Sequence, residues 1–238
     1  MEVIAMKITK TNEFTRTKLN LIVFGNPGCG KTVFGSTVPD PLILDIEGGT
    51  MSIRHKRVDA VRIESYRELG EVFEFLKKGK HRYKSVVIDS GTELQRKVME
   101  DVLAGTKHEY AQQRDWGITI ERVRRCIRAL RDLPLNFVMT ALAMESRDEA
   151  DGTSMVIPSF NGKTLPGEIV GFMDLCLYLF VGENKENGQY ERLLLTQPTQ
   201  KFVAKDRSGK LDRLEKPNFM RLYRKIFSGR DEGTSKAA

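Results

Sequence analysis

The sequence predicts an α/β protein with a mostly parallel central sheet flanked by helices and an antiparallel hairpin at one sheet edge. Three observations predict it. Apolar runs of strand length alternate with helical patterns from residue 19 to residue 228. Residues 21–32, Leu-Ile-Val-Phe-Gly-Asn-Pro-Gly-Cys-Gly-Lys-Thr, run from an apolar strand into a glycine-rich turn and a helix start. Asn187-Gly188, between two extended segments, is a hairpin signal because both residue types accept the positive φ of a tight turn.

In chain order, strands are expected over Leu19 to Phe24, Leu42 to Ile46, Ala60 to Ile63, Ser85 to Asp89 and Asn136 to Ala141, then over Leu175 to Phe180, Glu191 to Thr196 and Phe202 to Ala204. Helices are expected over Lys31 to Ser36, Tyr66 to Lys78, Thr92 to Leu103, Asp115 to Asp132 and Pro217 to Phe227. In the fourth helix Trp116, Ile120, Val123, Ile127 and Leu130 form one apolar stripe, so Arg122, Arg124, Arg125, Arg128 and Arg131 point mainly elsewhere. They read as a solvated face or, less favoured, a nucleic-acid surface. A length of 238 residues with 40% apolar content suits one core over 19–228, an N-terminal arm over 1–18 and a polar tail over 229–238 that is expected to be disordered.

No apolar run approaches the roughly 20 residues that cross a bilayer, and Met1 to Lys18 is too polar for a secretory signal. A soluble, cytoplasmic protein with no membrane partner is expected. Cys29, Cys126 and Cys176 lack metal-ligand spacing and suggest no disulfide framework. His55, His81 and His108 are isolated and read as surface residues. The net charge is +7, and from Lys201 onward eleven basic residues face five acidic ones, which suits either polyanion binding or a basic solvated face.

The chemistry starts at the turn G-x-x-x-x-G-K-[ST], formed by Gly25, Asn26, Pro27, Gly28, Cys29, Gly30, Lys31 and Thr32 and closed by Val33. Glycines let consecutive backbone N–H groups surround phosphate oxygens, the lysine neutralises the β and γ phosphates, and the threonine hydroxyl suits magnesium. A nucleoside triphosphate and Mg2+ are therefore the expected cofactors. Ser85-Val-Val-Ile-Asp89 is a buried strand ending in a carboxylate that suits the same magnesium ion. Leu42-Ile-Leu-Asp-Ile-Glu47-Gly-Gly ends the strand after the phosphate-loop helix, where Glu47 is the candidate general base for a water aimed at the γ phosphate. A solvated turn is the plainer alternative for Glu47.

The phosphate loop, Asp-x-Glu-Gly-Gly at 45–49, Ile88-Asp89-Ser90 and Phe137-Val-Met-Thr140 occur in an order and spacing that resembles the RecA-like ATPase core. More narrowly, the chain is similar to short bacteriophage nucleotide-binding proteins that include RecA-like single-strand annealing recombinases. Asp115-Trp116-Gly117, Gly162-Lys163 before an apolar segment with Asp174, and Ala204-Lys-Asp-Arg207 followed by Glu215-Lys-Pro-Asn218 fit that group. The resemblance implies ATP as the nucleotide, catalytic roles for Lys31 and Glu47, magnesium ligation by Thr32 and Asp89, and a γ-phosphate-sensing position at Thr140. Threonine is shorter than the usual glutamine there and lacks its amide.

The resemblance also makes Lys205 and Arg207 a K-x-R pair that reaches a neighbouring subunit's nucleotide, which implies a homo-oligomer, ring or filament; a basic surface is the alternative. It implies single-stranded DNA as a partner, and a single-strand-binding or replication protein as a further one. The corresponding DNA-binding loops are about Leu103 to Arg114, with Lys107, His108, Tyr110 and Arg114, and about Glu145 to Thr164, with Arg147, Phe160, Asn161 and Lys163. Two other functions stay open. One is an accessory ATPase that serves a replication or packaging protein without touching DNA. The other is a GTP switch, suggested by Asn184-Lys185-Glu186-Asn187 but lacking the final aspartate of the guanine-reading motif.

Overall fold

The computed structural model describes residues 17–106, 110–147, 152–183 and 188–228. Among the described residues ten strands form one sheet in the order β10-β8-β7-β1-β5-β4-β2-β3, with β6 added to β5 and β9 to β7. The parallel body consists of β1 (Asn20–Gly25), β2 (Pro41–Asp45), β3 (Asp59–Arg62), β4 (Ser85–Asp89), β5 (Asn136–Arg147) and β7 (Leu175–Glu183). The antiparallel additions are β6 (Ser154–Pro158), β8 (Tyr190–Leu195), β9 (Lys205–Asp206) and β10 (Leu214–Glu215). β4 is separated from β1 by β5.

Every residue of β1 is buried, and its side chains alternate between two cores. Ile22 and Phe24 join Leu69, Val98, Val123, Ile127 and Ile169, the inner faces of α2 (Tyr66–Lys77), α3 (Gly91–Ala104), α4 (Gln113–Asp132) and α5 (Leu165–Phe172). Leu21 and Val23 face the other way, onto Phe34 of α1 (Lys31–Gly35) and onto Phe219, Leu222 and Ile226 of α6 (Phe219–Phe227). A central strand covered on both faces explains why 21–24 is apolar without a break. The α/β class and the antiparallel β7–β8 hairpin agree with expectation; Asn187 lies outside the described residues.

Several expectations need correction. Phe202 to Ala204 is not a strand: Phe202 makes a single bridge to Val156, and the short β9 follows it. The expected loop from Glu145 to Thr164 instead contains the end of β5 and all of β6, paired from Ala143 with Pro158 to Arg147 with Ser154. α5 was not foreseen; its Pro166 falls in the first turn, where a missing N–H costs nothing. The buried stripe of α4 begins with Asp115 and Thr119 rather than with Trp116.

The α4 arginines make contacts within the chain. Arg122 pairs with Asp101 at 2.5 Å, Arg124 with Glu168 at 2.6 Å and with Glu121, Arg125 with Glu121 at 2.7 Å, and Arg128 lies over Phe172. Much of the basic excess after Lys201 is also engaged: Lys225 reaches the buried Glu215 at 2.5 Å and Asp212 at 2.6 Å, while Arg221 lies 3.6 Å from Glu215. These cations fasten α6 and its approach. Among the described residues no helix is long and apolar enough to cross a membrane.

Candidate functional site

The parallel strands β1, β2 and β4 end at Gly25, Asp45 and Asp89 on the same edge of the sheet, and the glycine-rich turn leaves from that edge. Gly25 cannot carry a side chain, because a Cβ there would lie 2.2 Å from the Leu179 carbonyl oxygen of β7. Gly28 and Gly30 have φ of 78° and 105°, a left-handed region that favours glycine. Lys31 is buried and donates to the carbonyls of Gly25 and Asn26, both at 2.9 Å. Its ammonium therefore lies within the turn. Cys29 is buried, and burial pushes its thiol above the ordinary range, which makes it a packing residue rather than a nucleophile.

Thr32 donates its hydroxyl to Asp89 Oδ2 at 2.7 Å, across 57 residues of sequence. Thr140 donates to Asp89 Oδ1 at 2.5 Å. Asp89 is 2% exposed. Burial raises its pKa above the ordinary carboxylate value, the two threonine hydrogen bonds oppose this, and the charges of Glu47 and Asp45 raise it further.

Asp45 organises the turn that carries Glu47. Its Oδ1 accepts from the backbone N–H groups of Gly48 at 2.7 Å and Gly49 at 3.2 Å, and Arg62 lies 3.5 Å from its Oδ2. The N–H groups of Ile46 and Glu47 donate to the Asp89 carbonyl at 2.8 and 3.1 Å, which locks the ends of β2 and β4 together. The Glu47 side chain is exposed at this junction. A Cβ on Gly49 would come 3.7 Å from Thr32 Oγ1 and 3.8 Å from Asp89 Oδ2, so the glycine leaves room beside both oxygens. The structure thus brings Gly25 to Thr32, Asp89 and Glu47 together.

A hydroxyl and a buried carboxylate beside two further acids form a hard-oxygen, electron-rich setting that a divalent cation relieves. Among the described residues no cluster of three or more His, Cys, Asp or Glu is arranged to hold a metal. Magnesium keeps several waters and takes phosphate oxygens alongside one or two protein ligands, so the Thr32 hydroxyl and the Asp89 carboxylate fit it by the chemistry of their oxygens.

Thr140 touches the site through Asp89, and the Lys205–Arg207 pair lies elsewhere. Thr140 does not end a strand: β5 continues to Arg147, and the Thr140 hydroxyl, fully buried, is committed to Asp89. Lys205 and Arg207 sit at the opposite edge of the sheet, since β9 pairs with Leu175 and Cys176 at the start of β7. Lys205 donates to the carbonyls of Val170, Gly171 and Met173 at 2.9, 3.2 and 2.8 Å, which uses all three donors of its ammonium on the end of α5. Arg207 pairs with Asp174 at 3.1 Å and donates to the Gly171 carbonyl at 3.2 Å, with its side chain 53% exposed.

Of the expected DNA-loop residues, Arg114, Arg147 and Lys163 are exposed, and none pairs with a carboxylate among the described residues. Phe160 is instead buried and not free to stack on a base, while Asn161 is exposed and its backbone exchanges two hydrogen bonds with Gln95. Lys107, His108 and Asn184 to Asn187 lie outside the described residues. Arg192 of β8, which the sequence did not single out, donates from Nε to the Cys29 carbonyl at 3.0 Å.

A phosphate-binding turn, a hydroxyl–carboxylate pair and a further acid at the carboxyl edge of a parallel sheet define a P-loop ATPase core. Residues 17–208 match the model of a family described as an AAA domain, and the chain belongs to that family. A comparison with curated proteins finds no match. Among solved structures the chain is similar to a KaiC-like protein from the hyperthermophilic archaeon Pyrococcus horikoshii OT3, with 13% identity over 74% of this chain and 77% of that one and a TM-score of 0.45.

Proposed function

We propose that the chain is a magnesium-dependent ATPase that assembles head to tail and acts on single-stranded DNA in recombination, as the annealing or strand-exchange proteins of bacteriophages do. The Thr32–Asp89 contact at 2.7 Å, closed on its other side by the turn that carries Glu47, is the observation that carries the ATPase reading. When bound, magnesium neutralises phosphate charge and orients the triphosphate. The chain's own groups do the rest. The turn amides hold the phosphates, and Lys31 exchanges its carbonyl partners for phosphate oxygens. Asp89 and Thr32 would hold the metal, and exposed Glu47 would accept a proton from the attacking water.

Assembly is supported by the position of Arg207, which cannot reach its own chain's loop from the opposite edge of the sheet. Head-to-tail contact would bring that edge against a neighbour's loop. Lys205 has no donor to spare and belongs to α5, so Arg207 is the member of the pair that acts across subunits. DNA binding is supported by the exposed cations Arg114, Arg147 and Lys163, which pair with no carboxylate among the described residues. Turnover of ATP measured with and without single-stranded DNA over a range of salt tests this: stimulation that fades steeply with salt is expected, and indifference to DNA at every salt would refute it.

The accessory reading is favoured by one set of observations. Phe160 is spent inside the core and the α4 arginines are engaged within the chain, which removes a stacking ring and cationic groups from a DNA surface. Indifference of turnover to DNA is the outcome it predicts.

A further inference from the structure

The phosphate loop has a second cation. Arg192 faces Val181 across the β7–β8 hairpin, and three residues below Val181 on the same strand, Tyr178 faces Phe24 of β1. This register carries Arg192 past the end of β1 to the level of the loop. Its Nε donates to the Cys29 carbonyl at 3.0 Å, and a Cβ on Gly30 would lie 3.1 Å from both its Cδ and its Nε. The residue is exposed, and no carboxylate among the described residues pairs with it.

Two cations then share one turn. Lys31 lies inside it, buried against the carbonyls of Gly25 and Asn26, and Arg192 lies over its outer side. This places two like charges on one short turn, with Arg192 held there by a single hydrogen bond to a carbonyl. With a polyphosphate in the loop the same arrangement becomes favourable. A guanidinium anchored through Nε keeps its remaining N–H groups on a planar fork suited to phosphate oxygens.

We propose that Arg192 is an in-chain nucleotide-binding residue whose guanidinium braces the loop at Cys29 and contacts the phosphates of a bound nucleoside di- or triphosphate. The inference rests on the reading of the loop as a nucleotide site. It differs from the role given to Arg207, which comes from another subunit, so a defect at Arg192 is not restored by mixing variants.

Calorimetric titration of Mg·ADP and of a slowly hydrolysed Mg·ATP analogue into the wild type, Arg192→Gln, Arg192→Lys and Lys31→Ala tests it, together with thermal melting of each ligand-free protein. Arg192→Gln is expected to bind both nucleotides about tenfold more weakly, with a shallower salt dependence and an unchanged ligand-free melting temperature. Arg192→Lys is expected to stay within about threefold of wild type, since it keeps the charge and loses only the fork. Wild-type dissociation constants in Arg192→Gln, with or without a lowered ligand-free melting temperature, would overturn the proposal. If Lys31→Ala loses binding while Arg192→Gln keeps it, only this inference falls; if the wild type binds neither nucleotide, the reading of the loop falls with it.

Discussion

Thr140→Val separates two roles for Thr140. As a γ-phosphate sensor, Thr140 would matter only with nucleotide present; as the partner of Asp89 it matters in the free protein. The substitution keeps the shape and removes a hydroxyl that donates to a buried carboxylate at 2.5 Å. A hydrogen bond to a charged group contributes about 1.5–3 kcal/mol. Spread over a urea dependence of about 1–3 kcal/mol per molar, the unfolding midpoint should drop by roughly 1 M with an unchanged slope.

The loss should also depend on pH, with a definite sign. Asp89 has a folded-state pKa raised first by burial, and loss of the Thr140 bond raises it further. An acid of this kind favours the folded state below its unfolded-state pKa, and that contribution is lost as pH rises through the folded-state value. The difference between variant and wild type should therefore be full at pH 8 and shrink on acidification as Asp89 takes up its proton. Urea unfolding at several pH values, without nucleotide, reads both effects. A wild-type midpoint across the range, with a defect appearing only in ATP turnover, would show that the hydroxyl serves the nucleotide and not Asp89.

Three further outcomes are expected. Glu47→Gln should keep Mg·ATP affinity within about threefold while turnover falls by 100-fold or more, on the scale of about 10²–10⁴ for a general base; equal turnover removes Glu47 from that role. Gly49→Ala should weaken magnesium-dependent binding with little loss of fold stability, because Gly49 has φ of −86°, which alanine adopts freely, while its Cβ would enter the space beside Thr32 and Asp89; unaltered magnesium dependence would place the ion elsewhere. Lys205→Ala should lower the melting temperature through the hydrogen bonds it removes from the Val170, Gly171 and Met173 carbonyls at the end of α5, of which Gly171 keeps Arg207, whereas Arg207→Ala should lose turnover and regain part of it when mixed with Lys31→Ala. Turnover that is unchanged in Arg207→Ala would dismiss the contribution across subunits.

The parts of the site set by short-range chemistry were readable in the sequence. Gly28 and Gly30 announce left-handed backbone, and Asp45 and Asp89 each stand at the end of an apolar run that forms a buried strand. What was not readable depends on which strands become neighbours. Arg192 looks like any outward residue of an edge strand until the β7–β8 register sets it over Cys29. Thr140 reads as a strand end because Ala141, Leu142 and Ala143 give no sign that β5 goes on to pair with β6. α5 is hidden because Pro166, Gly167 and Gly171 are each poor helix formers, and its end is completed by Lys205, more than thirty residues away. Lys205-Asp206-Arg207 shows its motif in sequence, but only the fold reveals which carbonyls already hold the lysine.

Convergence of the loop, Asp89 and Glu47 on a metal-bound triphosphate is tested most directly by ATP turnover in the wild type and in Lys31→Ala, each with magnesium and with a chelator. Phosphate release is expected only from the wild type with magnesium present. Release that persists in Lys31→Ala or in the chelator would contradict the site.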